Sequence, residues 1–230
     1  MPKLFHFPLC PFSRRIRLAL GEYDVDAELQ GERPWALSKG AAKLNPAGTL
    51  PILVDDDRTA VVGIEAVSEY LEETRLPEGP DRSLLGATAP ARAEVRRLVA
   101  WFDVKFHREV SRQLLIEKID RRFMTPEQGG GALNMAVVRA SAANIRPHLD
   151  YIGHLAETRS WLAGDNLSFA DLAAAAHLSC IDYLGEVPWS ANAAAKTWYT
   201  RIKSRRSFRP LLVDKIRGMP PPRIYADLDF

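Results

Sequence analysis

Cysteine is nearly missing from this chain, with only Cys10 and Cys180 among 230 residues. A disulfide scaffold is excluded, because at most one bridge can form, and the two thiols lack zinc-type spacing. Charge of one sign is equally scarce: 31 Lys and Arg stand against 29 Asp and Glu, a formal net charge of +2. No global field of that size recruits nucleic acid or an anionic membrane. No apolar run approaches the roughly 20 residues needed to span a bilayer. The opening Met1-Pro2-Lys3-Leu4-Phe5-His6-Phe7 is too short and too polar for a signal peptide. These absences predict a cytoplasmic protein with no membrane insertion and no nucleic-acid partner. Repeats are absent too. What is present is 47% apolar content, enough to fill one large core or two smaller ones.

The stretch from Leu44 to Leu71 organises the first half. Pro46 and Gly48 punctuate a loop, Pro51 opens a short apolar run, Asp55-Asp56-Asp57 supplies a turn, and Gly63 onward turns helical. Proline cannot donate to a ladder, so Pro51 fits a strand start, and Leu50–Pro51 is a candidate cis bond. Ahead of it, Lys3 to Pro8 reads as a strand, and Arg14 to Gly21 as a helix with a basic outer face ending at glycine. Cys10 precedes Pro11 at the positive end of that helix, where the dipole can lower a thiol pKa. Val25 to Gln30 is a weak second strand, and Arg33-Pro34-Trp35 opens an irregular segment.

Residues 76–90 are rich in Pro, Gly, Asp and Ser and read as a linker. Beyond them Leu98, Phe102, Phe106, Val110 and Leu114 recur every four residues, the pattern of a long amphipathic helix. Arg96, Arg108, Arg112, Lys118 and Arg122 give it a basic side. Gln128 to Gly131 breaks the pattern before a helix from Leu133 to Thr158, which Pro147 should kink or interrupt. Ser168 and Asp171 stand at capping-box spacing before a helix rich in Ala. Asp171 is therefore read as a cap, Cys180 as a core thiol, and His148 and His177 as packed side chains. No second ligating residue gives either His a metal site.

Leu4-Phe5 with Pro11 and Arg17-Leu18-Ala19-Leu20, Leu44-Asn45-Pro46 before Leu50-Pro51, Trp161-Leu162-Ala163-Gly164 to Asp171, and Arg206-Ser207-Phe208 appear in this order. Together they resemble the glutathione transferase superfamily over nearly the whole chain. The resemblance implies an α/β thioredoxin-like N-terminal domain of βαβ-ββα order at 1–76 and a linker at 77–90. An all-helical domain at 91–217 and a tail at 218–230 follow. In that family glutathione is held at the start of the first helix, beside the cis-proline, and by an acid and a serine heading the third helix. Cys10 and Ser13 are the weak catalytic candidates for the first, since Cys10-Pro11-Phe12-Ser13 resembles omega-like and dehydroascorbate-reducing members. Leu50 and Pro51 retain the second. The third falls on Gly63 and Ile64, seven and six residues ahead of Tyr70. Neither can bind the γ-glutamyl end. Using Glu65 instead would rotate the helix face by about 200°. Losing two hydrogen bonds to charged groups, roughly 1.5–3 kcal/mol each, weakens glutathione on the order of a hundredfold or more. No metal or other cofactor is expected.

The end of the chain is less like a plain transferase. Pro220-Pro221-Pro222 makes a stiff spacer before Arg223 to Phe230, a segment of aromatic and aliphatic anchors mixed with acids. It reads either as a tail docked on its own core or as a recognition segment. With Ile181 to Trp189 and Asp227-Leu228-Asp229-Phe230, the chain resembles the transferase-like division proteins that bind the tubulin homologue FtsZ. That resemblance implies a homodimer at the division site that binds FtsZ and promotes constriction. The partner-binding candidates are Arg108, Arg112, Tyr225, Asp227, Asp229 and Phe230, with the tail a candidate site for a second division partner. The alternative is a glutathione-dependent transferase or thiol reductase using Cys10 or Ser13.

Overall fold

The computed structural model describes residues 1–78 and 82–228. Strand β1 (Lys3–His6) pairs parallel with β2 (Glu28–Gly31) and antiparallel with β3 (Ile52–Val54), which pairs antiparallel with β4 (Ala60–Val62). The sheet order is β2-β1-β3-β4. Alternation in β1 buries Leu4 and His6 and leaves Lys3 and Phe5 half-buried. A parallel pair needs a crossover, supplied by α1 (Pro11–Glu22). After β2 comes α2 (Lys39–Leu44), a short helix capped by the Ser38 hydroxyl, where the sequence suggested only irregular chain. The second strand is also displaced, to Glu28–Gly31 from the expected Val25–Gln30. The hairpin then leads into α3 (Ile64–Arg75). This is the expected thioredoxin-like order.

Two readings of α1 need correction. Its basic face does not look outward: Arg14, Arg15 and Arg17 are 0%, 2% and 8% exposed. Burying a guanidinium is tolerated only where it is paired and hydrogen-bonded, and α1 meets carboxylates that lie far off in sequence. Nor does α1 end at glycine. Gly21 lies inside it, and a Cβ there would stand 2.9 Å from Ser207 Cα. The glycine serves the close approach of α1 to the Arg206–Phe208 turn.

The second half is helical. α4 (Ala89–Ala100) continues through a π-helical stretch (Trp101–Ser111), α5 (Arg112–Leu115), a π-helical turn (Ile116–Asp120) and α6 (Arg121–Phe123). The mixture explains the every-fourth row. On an ideal α-helix that spacing drifts about 40° per step, and the wider π turns reverse the drift. Leu98, Phe102, Phe106, Val110 and Leu114 are accordingly all at or below 1% exposure. Burying five such side chains contributes on the order of 10 kcal/mol before entropy is counted.

α7 (Met135–Thr158) runs through Pro147 without interruption. The proline costs one backbone bond, but Ile145, Leu149 and Ile152 hold the core on both sides of it. α8 (Phe169–Tyr183) is buried at every position. Ser168 and Asp171 form the expected capping box, and Asp171 also accepts from Leu162 N at 2.9 Å and Trp198 Nε1 at 3.0 Å. α9 (Ala193–Lys203) and α10 (Arg209–Leu212) complete the layer.

Candidate functional site

The start of α1 places both thiol-chemistry candidates. Cys10 is the N-cap residue, and Pro11 occupies the first helical position, where its missing N–H costs nothing. The expected low thiol pKa is not what the surroundings produce. Cys10 packs against the cluster of Ala41, Leu50 and Ile52, and burial pushes its thiol up, against the lowering by Ser13 and the helix-start N–H groups. A raised pKa leaves little thiolate at neutral pH. Ser13 is fully buried, and its hydroxyl accepts from Phe7 N at 3.4 Å. Cys180, as read, is a core thiol that contacts the Leu9 carbonyl at 3.3 Å.

Leu50–Pro51 is cis, and Cys10 packs against the cluster that contains Leu50. The loop before it is closed by Asn45, whose Nδ2 donates to Thr49 O at 2.9 Å. At the head of α3, Gly63 is the N-cap with φ +90° and no side-chain cap, and Ile64 is the first helical residue. No carboxylate or hydroxyl is therefore presented there by these two positions. Ser68, one turn further on, is buried and receives Arg15 Nη2 at 2.6 Å.

The arginines of α1 wire the sheet half to the helical half. Arg14 donates to Pro8 O at 2.6 Å, Ser179 Oγ at 2.9 Å, the Tyr225 hydroxyl at 3.0 Å and Asp214 at 3.3 Å. Arg17 also pairs with Asp214, at 2.7 Å. Arg15 pairs with Asp103, whose other oxygen lies 3.1 Å from His177 Nε2. His177 Nδ1 is 2.7 Å from Ser111 Oγ. This Ser-His-Asp chain has a hydrolase-like order, but Ser111 is 0% and His177 1% exposed, so no substrate reaches it. It is a buried polar strut. His148 likewise lies between Trp101 Nε1 and Glu109, each at 3.1 Å.

Tyr225 is not a surface anchor. It is 0% exposed, its hydroxyl donates to Leu211 O at 3.0 Å, and its ring packs edge-on against Tyr183 at 5.2 Å. The tail up to that point docks on its own core, because the buried Arg14 guanidinium needs the phenol as an acceptor. Asp227 lies beyond it on the surface, and Asp229 and Phe230 fall outside the described residues. Arg108 and Arg112 are exposed on the long helix, Arg108 within 3.5 Å of Glu109. Among the described residues, no hydrogen bond or ion pair joins Arg108 or Arg112 to Tyr225.

A groove of ≈ 570 Å³ opens at the junction of the two halves. Phe7, Trp35 and Phe123 form its aromatic side, with Trp35 and Phe123 stacked at 6.1 Å and 6°. Arg33, Lys215 and Arg217 stand around it. Sequence reasoning missed this site. Its residues come from four stretches, at 7–8, 33–35, 122–123 and 215–218, and only the unplaced Arg33-Pro34-Trp35 gave a local signal.

Residues 9–74 match the glutathione S-transferase N-terminal domain, and residues 134–206 the C-terminal domain. FtsZ-localized protein A of Caulobacter vibrioides is 46% identical over 230 residues, covering 99% of this chain and 97% of that one. The chain belongs to the glutathione S-transferase family. Glutathione S-transferase 3 of Zea mays is 32% identical over 232 residues, covering 96% of each chain. The crystal structure of a glutathione S-transferase from Sinorhizobium meliloti 1021 superposes with a TM-score of 0.96 at 50% identity, covering 100% of both chains. Within this fold Leu50–Pro51 is cis, Cys10 and Ser13 stand at the start of α1, and Gly63 and Ile64 at the head of α3 carry neither an acid nor a hydroxyl.

Proposed function

We propose that the protein is a non-catalytic, transferase-like regulator of cell division that binds FtsZ filaments as a homodimer and promotes constriction at the division site. The observation that carries this reading is the end-to-end similarity to a protein named for its localisation with FtsZ. The head of α3 supports it, since Gly63 and Ile64 offer neither an acid nor a hydroxyl at the positions where the family binds the γ-glutamyl end. A dimer is supported by complementary faces. α3 carries Glu65 and Glu73, and the long helix carries Arg108 beside Val104, which is 59% exposed, while Glu69 and Arg96 pair with each other within the chain. In a two-fold pair each acidic face meets a basic one, and two FtsZ surfaces result, able to bridge filaments by avidity. Arg112 and Asp227 remain candidate contacts.

The second reading, a glutathione-dependent transferase or thiol reductase, draws support from the cis Leu50–Pro51 corner beside Cys10 and Ser13 and from the transferase relatives. Co-sedimentation with assembled FtsZ, beside calorimetric titration with glutathione, separates the two. The division reading expects co-pelleting and a glutathione Kd weaker than about 1 mM. Low-micromolar glutathione binding with turnover of a chromogenic electrophile, and no pelleting, refutes it.

A further inference from the structure

The cations Arg33, Lys215 and Arg217 line the groove. They are exposed and form no salt bridge among the described residues. Their neighbours are aromatic: Phe7 meets Trp35 edge-on at 5.5 Å, and Phe123, 38% exposed, stacks on Trp35 at 6.1 Å. An uncompensated basic rim around an apolar shelf is complementary to an anion that also carries an apolar group.

The walls are held rigidly. Arg14 fixes the Pro8 carbonyl at 2.6 Å, and the Tyr183 hydroxyl accepts from Ile216 N at 2.9 Å and donates to Met219 O at 2.7 Å. Arg122 donates to Gly218 O at 3.2 Å, tying the aromatic side to the basic side. A ligand therefore meets a surface that need not be ordered on binding, which removes an entropic cost.

We propose that this groove docks an acidic peptide segment carrying an apolar side chain. The charged residues of the segment lie against Arg33, Lys215 and Arg217, and its apolar side chain rests on the Trp35–Phe123 shelf. The proposal deepens the FtsZ-binding reading, on which it rests for the identity of the protein that supplies the segment. A peptide fits better than single-stranded nucleic acid. The two largest rings are stacked on one another, so no open slot receives a base between them, and the whole chain carries a net charge of only +2.

The test uses the full chain and a fluorescein-labelled peptide of Asp and Glu with one central Phe, read by anisotropy. Binding is expected to weaken about tenfold or more between about 50 and 300 mM salt. Lys215→Glu with Arg217→Glu is expected to weaken it at least about tenfold, with the melting curve unchanged. Trp35→Ala should weaken the Phe-bearing peptide and leave a Phe-free one unaffected. Equal binding to the charge-reversed chain, or tighter binding of an oligothymidine, overturns the proposal. Co-sedimentation with FtsZ keeps the two readings apart. Peptide binding that is lost on charge reversal, in a protein that never pellets with FtsZ, upholds the groove and refutes the FtsZ assignment. Undiminished pelleting of the charge-reversed chain overturns the groove as the partner surface.

Discussion

The docked tail makes a quantitative demand on Tyr225. Its ring is fully buried, its hydroxyl accepts from Arg14 Nη1 at 3.0 Å, and the same hydroxyl donates to Leu211 O at 3.0 Å. Tyr225→Phe removes one hydrogen bond to a charged group, about 1.5–3 kcal/mol, and one neutral bond of about 1 kcal/mol. Arg14 keeps Pro8, Ser179 and Asp214, so the expected cost is about 2–4 kcal/mol. For a chain of this size, each kcal/mol lowers Tm by roughly 2–4 °C, which makes a loss of about 4–16 °C. Tyr225→Ala adds the cavity of an aromatic ring and should exceed it, at about 4–7 kcal/mol. Leu228→Ala, on the exposed side of the same tail, should change stability by less than about 0.5 kcal/mol. Burial also raises the Tyr225 pKa above its ordinary value, so the phenol stays protonated below pH 10 and the differences should hold across neutral pH. Urea or thermal denaturation followed by far-UV circular dichroism measures all three variants. A Tyr225→Ala cost below about 1 kcal/mol would refute the docking, because a free tail has no such interactions to lose.

Three further outcomes follow from the ionisable groups and the ligand site. His6 is buried beside Arg17 and Arg14, and burial first, then those charges, lowers its pKa to about 4. The unfolded chain therefore takes up a proton near pH 6.5 that the folded chain refuses. The resulting stability is complete above about pH 6.5 and falls as pH drops through about 4, so denaturation midpoints of His6→Asn should depend less on pH over that window. Asp120 is pushed up to about 6 by burial. Its ionisation opposes folding, so Asp120→Asn should stabilise the protein at pH 7.5 by on the order of 1–2 kcal/mol, with the gain vanishing below about pH 4. At the glutathione corner, Gly63→Glu with Ile64→Ser should tighten glutathione in calorimetry, incompletely because φ is +90° at position 63. No change in affinity would mean that the third corner is not what this site lacks.

Local order settled much of this protein in the sequence itself. Ser168 and Asp171 announced their capping box, because a cap is made within one helical turn. The row from Leu98 to Leu114 announced its buried face, because periodicity is a property of neighbours. Pro51 was legible as the site of a cis bond, and Gly63 and Ile64 as a helix head without acid or hydroxyl, because their spacing from Tyr70 is fixed by one hairpin and one helix. Tertiary structure decided everything that depends on a distant partner. Arg14, Arg15 and Arg17 looked like a solvent face until Asp214 and Asp103 came to meet them, 200 and 88 residues away along the chain. Gly21 looked like a helix end and proved to be a clearance for Ser207. Cys10 stood at a helix start that favours a thiolate, but it is half-buried against Ala41, Leu50 and Ile52, and that desolvation pushes the thiol up. Tyr225 read equally well as a hook for another protein or as a plug for its own core. The choice rested on whether Arg14 was buried, and only the packing of α1 against α8 determined that.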